Sequence, residues 1–335
     1  MKRNGFKAML AGAAAALLAT FGAGSAQAAD RAPEFRRGVN VLGYDPYWKG
    51  GEARFKARHF AEIRRAGFDF VRVNLFAFGH LDSKDRLDPE WLKKVDWVVR
   101  EARKAGLGVI LDEHDFDACS NDVTMCRAKL RAVWSQLAPR YRSAPSSVAF
   151  ELLNEPHAKL DADAWNALIP DILAIVRATN PVRTVIIGPT SWNAYRELPG
   201  LKLPEKDRNI LVTFHYYDPF RFTHQGASWT DLKELRGVTW GSDADLAQLR
   251  EDFGKVAQWA RANRRPILLG EFGAYDKSGT PEAMRVAYTA AVAREAERQG
   301  FAFAYWQFDG DFIAWDMSRD AWVAPIRDAL LPARR

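Results

Sequence analysis

Val148-Ala149-Phe150-Glu151-Leu152-Leu153-Asn154-Glu155-Pro156-His157 is an apolar run that ends abruptly in Asn-Glu-Pro. Such a run reads as a buried strand that delivers polar side chains to its carboxyl end, where Pro156 has no N–H to continue a ladder. Pro266-Ile267-Leu268-Leu269-Gly270-Glu271-Phe272-Gly273 repeats the arrangement, a second apolar strand ending in a carboxylate. Two buried strands, each carrying one glutamate to its end, predict a facing pair, Glu155 and Glu271. Glu151 shares the expected strand face of Glu155 but lies four residues earlier. At about 3.3 Å per residue that is about 13 Å deeper, and Glu151 reads as a structural carboxylate.

Further apolar segments lie at 35–44, 68–75, 108–112, 184–188, 210–215 and 301–306. Helical patterns at 53–66, 89–105, 127–141, 162–179, 245–263 and 281–299 fall between the strands, and a short helix closes the chain. Asp88 supplies an N-cap and Gly106 a stop for the 89–105 helix, and Gly67 ends the first one. Strand–helix alternation predicts an α/β fold with a parallel sheet. Eight such units in one chain of this length favour a single closed (β/α)8 TIM barrel over an open doubly wound sheet. No Gly-x-Gly-x-x-Gly follows the first strand, which argues against dinucleotide binding. Arg72, His114, Asn154, Glu155, His215, Tyr217, Glu271 and Trp306 all fall at expected strand carboxyl ends, where a barrel enzyme builds its site.

Residues 1–28 are expected to be a secretory signal peptide. Lys2, Arg3 and Lys7 make a basic start, an Ala/Leu-rich run follows, and Ala26-Gln27-Ala28 supplies a small-x-small cleavage signal. An uncleaved anchor is the alternative, but the run is Ala- and Gly-rich and weakly apolar for a spanning helix. The mature chain is therefore expected to occupy 29–335 as one catalytic domain, secreted or periplasmic, and to act as a monomer. Without 1–28 the formal charge of +6 falls to +3, because three cations and no anions leave. No Lys/Arg run is interleaved with aromatics, so nucleic acid is not an expected partner. In an exported chain the two cysteines, Cys119 and Cys126, read as a disulfide stiffening a surface loop beside the site, with free thiols as the alternative. No Cys/His spacing suggests structural zinc, and no cofactor is implied.

Paired carboxylates at strand ends are the arrangement that glycoside hydrolysis uses. Leu153-Asn154-Glu155-Pro156-His157, His215-Tyr216-Tyr217, Gly270-Glu271-Phe272-Gly273 and Trp306 occur in that order. The set resembles glycoside hydrolase family 5, barrels whose acid and nucleophile end strands four and seven, over essentially the whole mature chain. The resemblance implies a retaining, endo-acting β-glycanase without a cofactor, with Glu155 as acid/base and Glu271 as nucleophile. It further implies that Arg72 keeps Glu271 ionised, that Tyr217 hydrogen-bonds to it, and that Asn154 holds the sugar 2-hydroxyl. His114 would hold another hydroxyl, His215 would tune the acid/base, and Trp306 would floor the subsite before the cleaved bond. Asn40, ending strand one, is expected as a further subsite contact.

The loop 217–229 carries Phe-Thr-His-Gln-Gly-Ala-x-Trp, which resembles one group of bacterial family 5 endoglucanases, some also active on mannan. In that group the residues matching His224 and Trp229 lie along the cleft. Two departures bear on the substrate. Asp115 stands where those enzymes often have a second polar ring or amide, and the loop Gly43-Tyr44-Asp45-Pro46-Tyr47-Trp48 lacks their usual acidic contact. The expected substrate is a soluble or amorphous β-1,4-glucan, with β-mannan and then β-1,3-glucan as alternatives. Two readings from other classes are weaker. A metal-dependent barrel hydrolase would draw on His114, Asp115, His215 and His224, but no His-x-His ends the first strand. A non-catalytic glycan-binding barrel would not be expected to retain both glutamates.

Overall fold

The computed structural model describes residues 35–277 and 279–331, so the expected signal peptide lies outside the described residues. Eight parallel strands close into a barrel in sequence order. They are β1 (Arg37–Val41), β2 (Phe70–Leu75), β3 (Gly108–Glu113), β4 (Val148–Glu151), β5 (Val185–Ile187), β6 (Ile210–Tyr216), β7 (Ile267–Phe272) and β8 (Ala302–Tyr305). The β1–β8 pairing, Arg37 opposite Phe303 and Val39 opposite Tyr305, completes the ring. The expected single barrel is therefore the fold.

Between the strands run α1 (Ala57–Ala66), α2 (Pro89–Lys104), α3 (Phe116–Asn121), α4 (Val123–Arg140), α5 (Ala162–Thr179), the one-turn α6 (Thr190–Asn193) and α7 (Phe220–Thr223), α8 (Asp243–Asn263) and α9 (Glu282–Arg298), and α10 (Ala324–Leu330) follows the last strand. Local chemistry fixes their starts. Asp88 accepts from the Glu90 N–H with Pro89 in the first turn of α2, and Asp161 accepts from Ala164 N–H. Asp122 caps α4 through Met125 N–H, which is why that helix begins four residues before the expected 127. Ser242 and Asp245 form a reciprocal capping box on α8. A small antiparallel pair, β9 (Trp315–Asp316) with β10 (Ala321–Trp322), was not anticipated.

Alternation along the strands sorts the side chains into two cores. Val39, Val41, Val71, Val73, Val109, Leu111, Val148, Phe150, Val185 and Ile187 join the large cluster between sheet and helices. The intervening positions, Phe70, Ile110, Ala149, Ile186, Leu211, Leu268, Ala302 and Ala304, form a separate plug inside the barrel. Each large side chain so buried contributes about 1.5–3 kcal/mol. One pleat nearer the carboxyl ends the interior turns polar, with Asn40, Arg72, Asp112, Glu151 and Thr213 all fully buried.

Both glutamates of the expected pair break this alternation. The β4 ladder ends at Glu151, Leu152 and Leu153 both join the outer cluster, and Glu155 takes a left-handed backbone with φ 43°. Glu155 thus does not share a strand face with Glu151, because the strand stops before it. In β7 the register slips, with Phe214 opposite Leu269 and His215 opposite Glu271. Gly270 is the extra residue of a bulge that turns Glu271 inward.

Cys119 and Cys126 are bridged, with an S–S distance of 2.06 Å. The expectation of a stiffened surface loop is corrected: the bridge ties α3 to α4, and both residues are fully buried within the large core.

Candidate active site

The floor of the site is built on Arg72, which sits in the middle of β2 rather than at its end and is wholly buried. Its Nε and Nη2 donate to Glu151 at 2.7 and 2.9 Å, Nη1 to Glu271 Oε1 at 2.8 Å, and Nη2 to Asn154 Oδ1 at 2.7 Å. Burial opposes its charge, but Asp112, Glu151 and Glu271 outweigh that and hold it protonated, well above its ordinary range. Asn40 belongs to this floor, which corrects its expected role at a subsite. It is 0% exposed, its amide donates to Gly270 O at 3.0 Å, and its Oδ1 accepts from Arg72 and Asn74 at 2.8 and 3.2 Å. No part of it is left to meet a sugar. Glu151 is structural as expected, and burial, offset by Arg72, raises its carboxyl to about 7.

Above the floor, a carboxylate oxygen of Glu155, one of Glu271 and a ring nitrogen of His215 all lie within 4.8 Å of one another. Glu271 accepts from Arg72 on Oε1 and from the Tyr217 hydroxyl on Oε2 at 3.0 Å. Two donors, one of them a guanidinium, suit a negative carboxylate. Tyr217 stays protonated, since burial and then the Glu271 and Glu155 charges push it well above its usual range. Glu155 differs. Burial pushes it up to about 7 against the opposing pull of His114, Arg72 and His157. Its Oε1 lies 2.6 Å from His215 Nδ1, and burial holds that imidazole down to about 3. The two carboxyls thus sit in unlike surroundings, one raised by burial and the other held by a guanidinium and a phenol.

The walls are aromatic. His114 lies parallel to Trp306 with ring centroids 5.6 Å apart, and its Nδ1 is 2.6 Å from Asp112 Oδ2. Despite burial, Asp112 holds the His114 imidazole above its usual range. Asn154 has given its oxygen to Arg72, so its Nδ2, 3.5 Å from His114 Nε2, is the group it can still offer. His224 stacks on Phe220 at 4.0 Å, meets Tyr217 edge-on at 4.9 Å and bonds through Nδ1 to Thr223 Oγ1. Trp229, 54% exposed, meets the edge of His224 at 6.3 Å, so the 217–229 loop does reach the cleft.

The four side chains of the metal-dependent alternative are not gathered at one point. Asp115 accepts from Phe78 N–H at 2.8 Å, and His224 is held by Thr223. Sequence reasoning missed Asp112, which orients His114, and two exposed rings at the rim. Tyr44, 61% exposed, meets Trp306 edge-on at 6.0 Å, while Trp192, 55% exposed, stacks on His157 at 4.4 Å. The signal for Trp192 was its position in Pro189-Thr190-Ser191-Trp192, directly after the fifth strand.

Comparison with known proteins points the same way. The family model described as cellulase (glycosyl hydrolase family 5) matches residues 33–311. Endoglucanase H of Acetivibrio thermocellus is 29% identical over 295 residues, 86% of this chain and 31% of its own length. The chain thus spans less than a third of that relative. A hyperthermophilic endo-β-1,4-glucanase solved in complex with substrate superposes with a TM-score of 0.84 at 36% identity, covering 89% of this chain and 97% of that one. Thermotoga maritima Cel5A in complex with mannotriose gives a TM-score of 0.84 at 34% identity, covering 88% and 97%.

Proposed function

The chain belongs to glycosyl hydrolase family 5, the cellulase family, and on that premise we propose that it is a retaining endo-β-1,4-glucanase. The observation that carries this is the approach of Glu155 and Glu271 carboxylate oxygens to within 4.8 Å. Retention uses carboxyls about 5–5.5 Å apart, whereas inversion needs about 6.5–9.5 Å to admit a water. In the first step Glu271 attacks the anomeric carbon while Glu155 gives its proton to the departing glycosidic oxygen. In the second, Glu155 takes a proton from water, which attacks the anomeric carbon and frees Glu271. Arg72 and Tyr217 hold Glu271, the Asn154 amide donates to the sugar 2-hydroxyl, and His114 holds a neighbouring hydroxyl. Trp306 stacks under the sugar before the cleaved bond, and His224 and Trp229 line the cleft.

Glucan is the first choice because the solved neighbour named for β-1,4-glucanase activity matches at 36% identity over nearly all of its own length. A second reading, β-mannan, is favoured by the mannotriose complex of the Thermotoga neighbour. Reducing-sugar release from a panel of defined polysaccharides separates them, and mannan hydrolysis well above glucan hydrolysis overturns the first choice. Anomer-resolved NMR tests the mechanism: the first product from β-glucan is the β-anomer, and an initial α-anomer excludes retention.

The enzyme is proposed to be exported and to act as a monomer. The basic, then Ala/Leu-rich start supports export. Among the described residues no helix is long and apolar enough to cross a membrane.

A further inference from the structure

Helix α6 contains backbone of the wrong hand. Ser191, Trp192 and Asn193 have φ of 56°, 61° and 55°. Side-chain-bearing residues avoid this region, and a run of three marks a place where the fold imposes a shape. The turn throws Trp192 outward and buries Asn193 completely. Asn193 Nδ2 then lies 3.3 Å from His215 Nε2, the nitrogen opposite the one that meets Glu155.

The surroundings are cleared for this contact. A Cβ at Gly188 would fall 2.2 Å from Asn193 Oδ1 and 2.9 Å from the Thr213 methyl. A Cβ at Gly270 would fall 2.9 Å from His215 Nε2 and 2.5 Å from Thr213 Oγ1. Neither the strand before the ring nor the strand after it has room for a side chain there. The charged and titratable groups around the ring are Glu155 from the loop after β4, Glu271 from β7 at 3.7 Å, Arg72 from β2, and Asp112 and His114 from β3 and its end.

We propose that Asn193 is a positioning residue that fixes neutral His215 with its proton on Nδ1 and so leaves the transferable proton of Glu155 on Oε2. This rests on the assignment of Glu155 as acid/base. An amide NH2 has only protons to give, so Nε2 must present its lone pair, and the single N–H of a neutral imidazole is then on Nδ1. That N–H is donated to Glu155 Oε1. An oxygen already accepting this bond does not carry the acid proton, which goes to the oxygen turned away from the ring. The other tautomer would draw the Glu155 proton into a bond with Nδ1 and withhold it from the leaving group.

The direct test is the nitrogen-15 spectrum of the histidine-labelled wild-type enzyme at neutral pH. His215 shows a protonated Nδ1 and a bare Nε2; a protonated Nε2 overturns the proposal whatever any variant does. The kinetic test is Asn193→Asp, whose carboxylate only accepts and therefore pulls the proton to Nε2. Turnover of soluble β-glucan falls about 10- to 100-fold, while that of a dinitrophenyl glycoside, whose leaving group needs no proton, falls far less. Equal loss on both substrates sinks the proposal. Glu155→Ala is measured alongside. If it discriminates between the substrates and Asn193→Asp does not, the positioning role alone fails; if Glu155→Ala does not discriminate, the acid/base assignment fails and the proposal with it.

Discussion

Arg72 and Glu271 share a 2.8 Å bond, and the same guanidinium holds Glu151 through two more. A planar fork is needed to serve both carboxylates at once, and lysine has none. Arg72→Lys therefore leaves one of two buried carboxylates unpaired, which costs about 3–5 kcal/mol. The expected result is a clear drop in thermal midpoint together with a loss of kcat/KM of at least about 100-fold. A variant as stable and active as wild type would show that a point charge suffices.

Glu155, raised to about 7 by burial, sets the alkaline limb of the pH profile. It must be protonated to assist departure of a sugar, so kcat/KM on glucan is flat just below that pH and falls about tenfold per unit above it. An aryl glycoside with an activated leaving group lacks this limb while the glycosyl-enzyme forms. Identical profiles on both substrates would exclude Glu155 as the acid.

Azide separates the roles of the two carboxylates. Glu271→Ala loses nearly all activity, and azide then attacks from the vacated face to give an α-glycosyl azide. Glu155→Ala still forms the covalent intermediate from an activated substrate, and azide, which needs no base, restores turnover with a β-product. The opposite stereochemistry in the two variants would reverse the assignment.

Glu113 predicts a pH dependence of stability unrelated to catalysis. It is fully buried, its Oε2 has no hydrogen-bond partner among the described residues, and burial followed by the Asp115 charge raises its carboxyl well above the usual range. The folded chain keeps a proton that the unfolded chain releases at about pH 4.3. Stability from this group is thus complete below that value and is lost as pH rises. Glu113→Gln should flatten the fall in thermal midpoint between pH 5 and 8 by about 2 °C or more. Parallel curves for the two proteins would refute it.

The barrel was legible because its strands are apolar runs closed by glycine, proline or a capping aspartate, and such local signals survive folding. The proposed catalytic pair was legible for the same reason, since Asn154-Glu155-Pro156 and Glu271-Phe272-Gly273 interrupt apolar strands. What sequence hid was depth and facing. Asn40 and Arg72 were expected at the lip, yet β2 runs on to Leu75 and pairs Arg72 with Asn40 a layer below, where their hydrogen bonds are spent on neighbours. The inward turn of Asn193 depends on three left-handed residues that no composition rule marks. The disulfide was found but misplaced, because Asp117-Ala118-Cys119 reads as loop until Asp122 is seen to cap the helix that follows.

Leu268 and Glu271 are three residues apart on one strand, yet both look into the barrel, because the slip at Gly270 makes β7 odd and even at once. A filter enforcing strict every-second-residue periodicity would assign Glu271 to the helix-facing side and replace it with valine or leucine. The outcome would be a smoother strand and an inert molecule. A designer moving this pair of glutamates to another eight-stranded scaffold must therefore carry over the off-beat in the seventh strand as well as the side chain, since a scaffold idealised for folding has no place to put it.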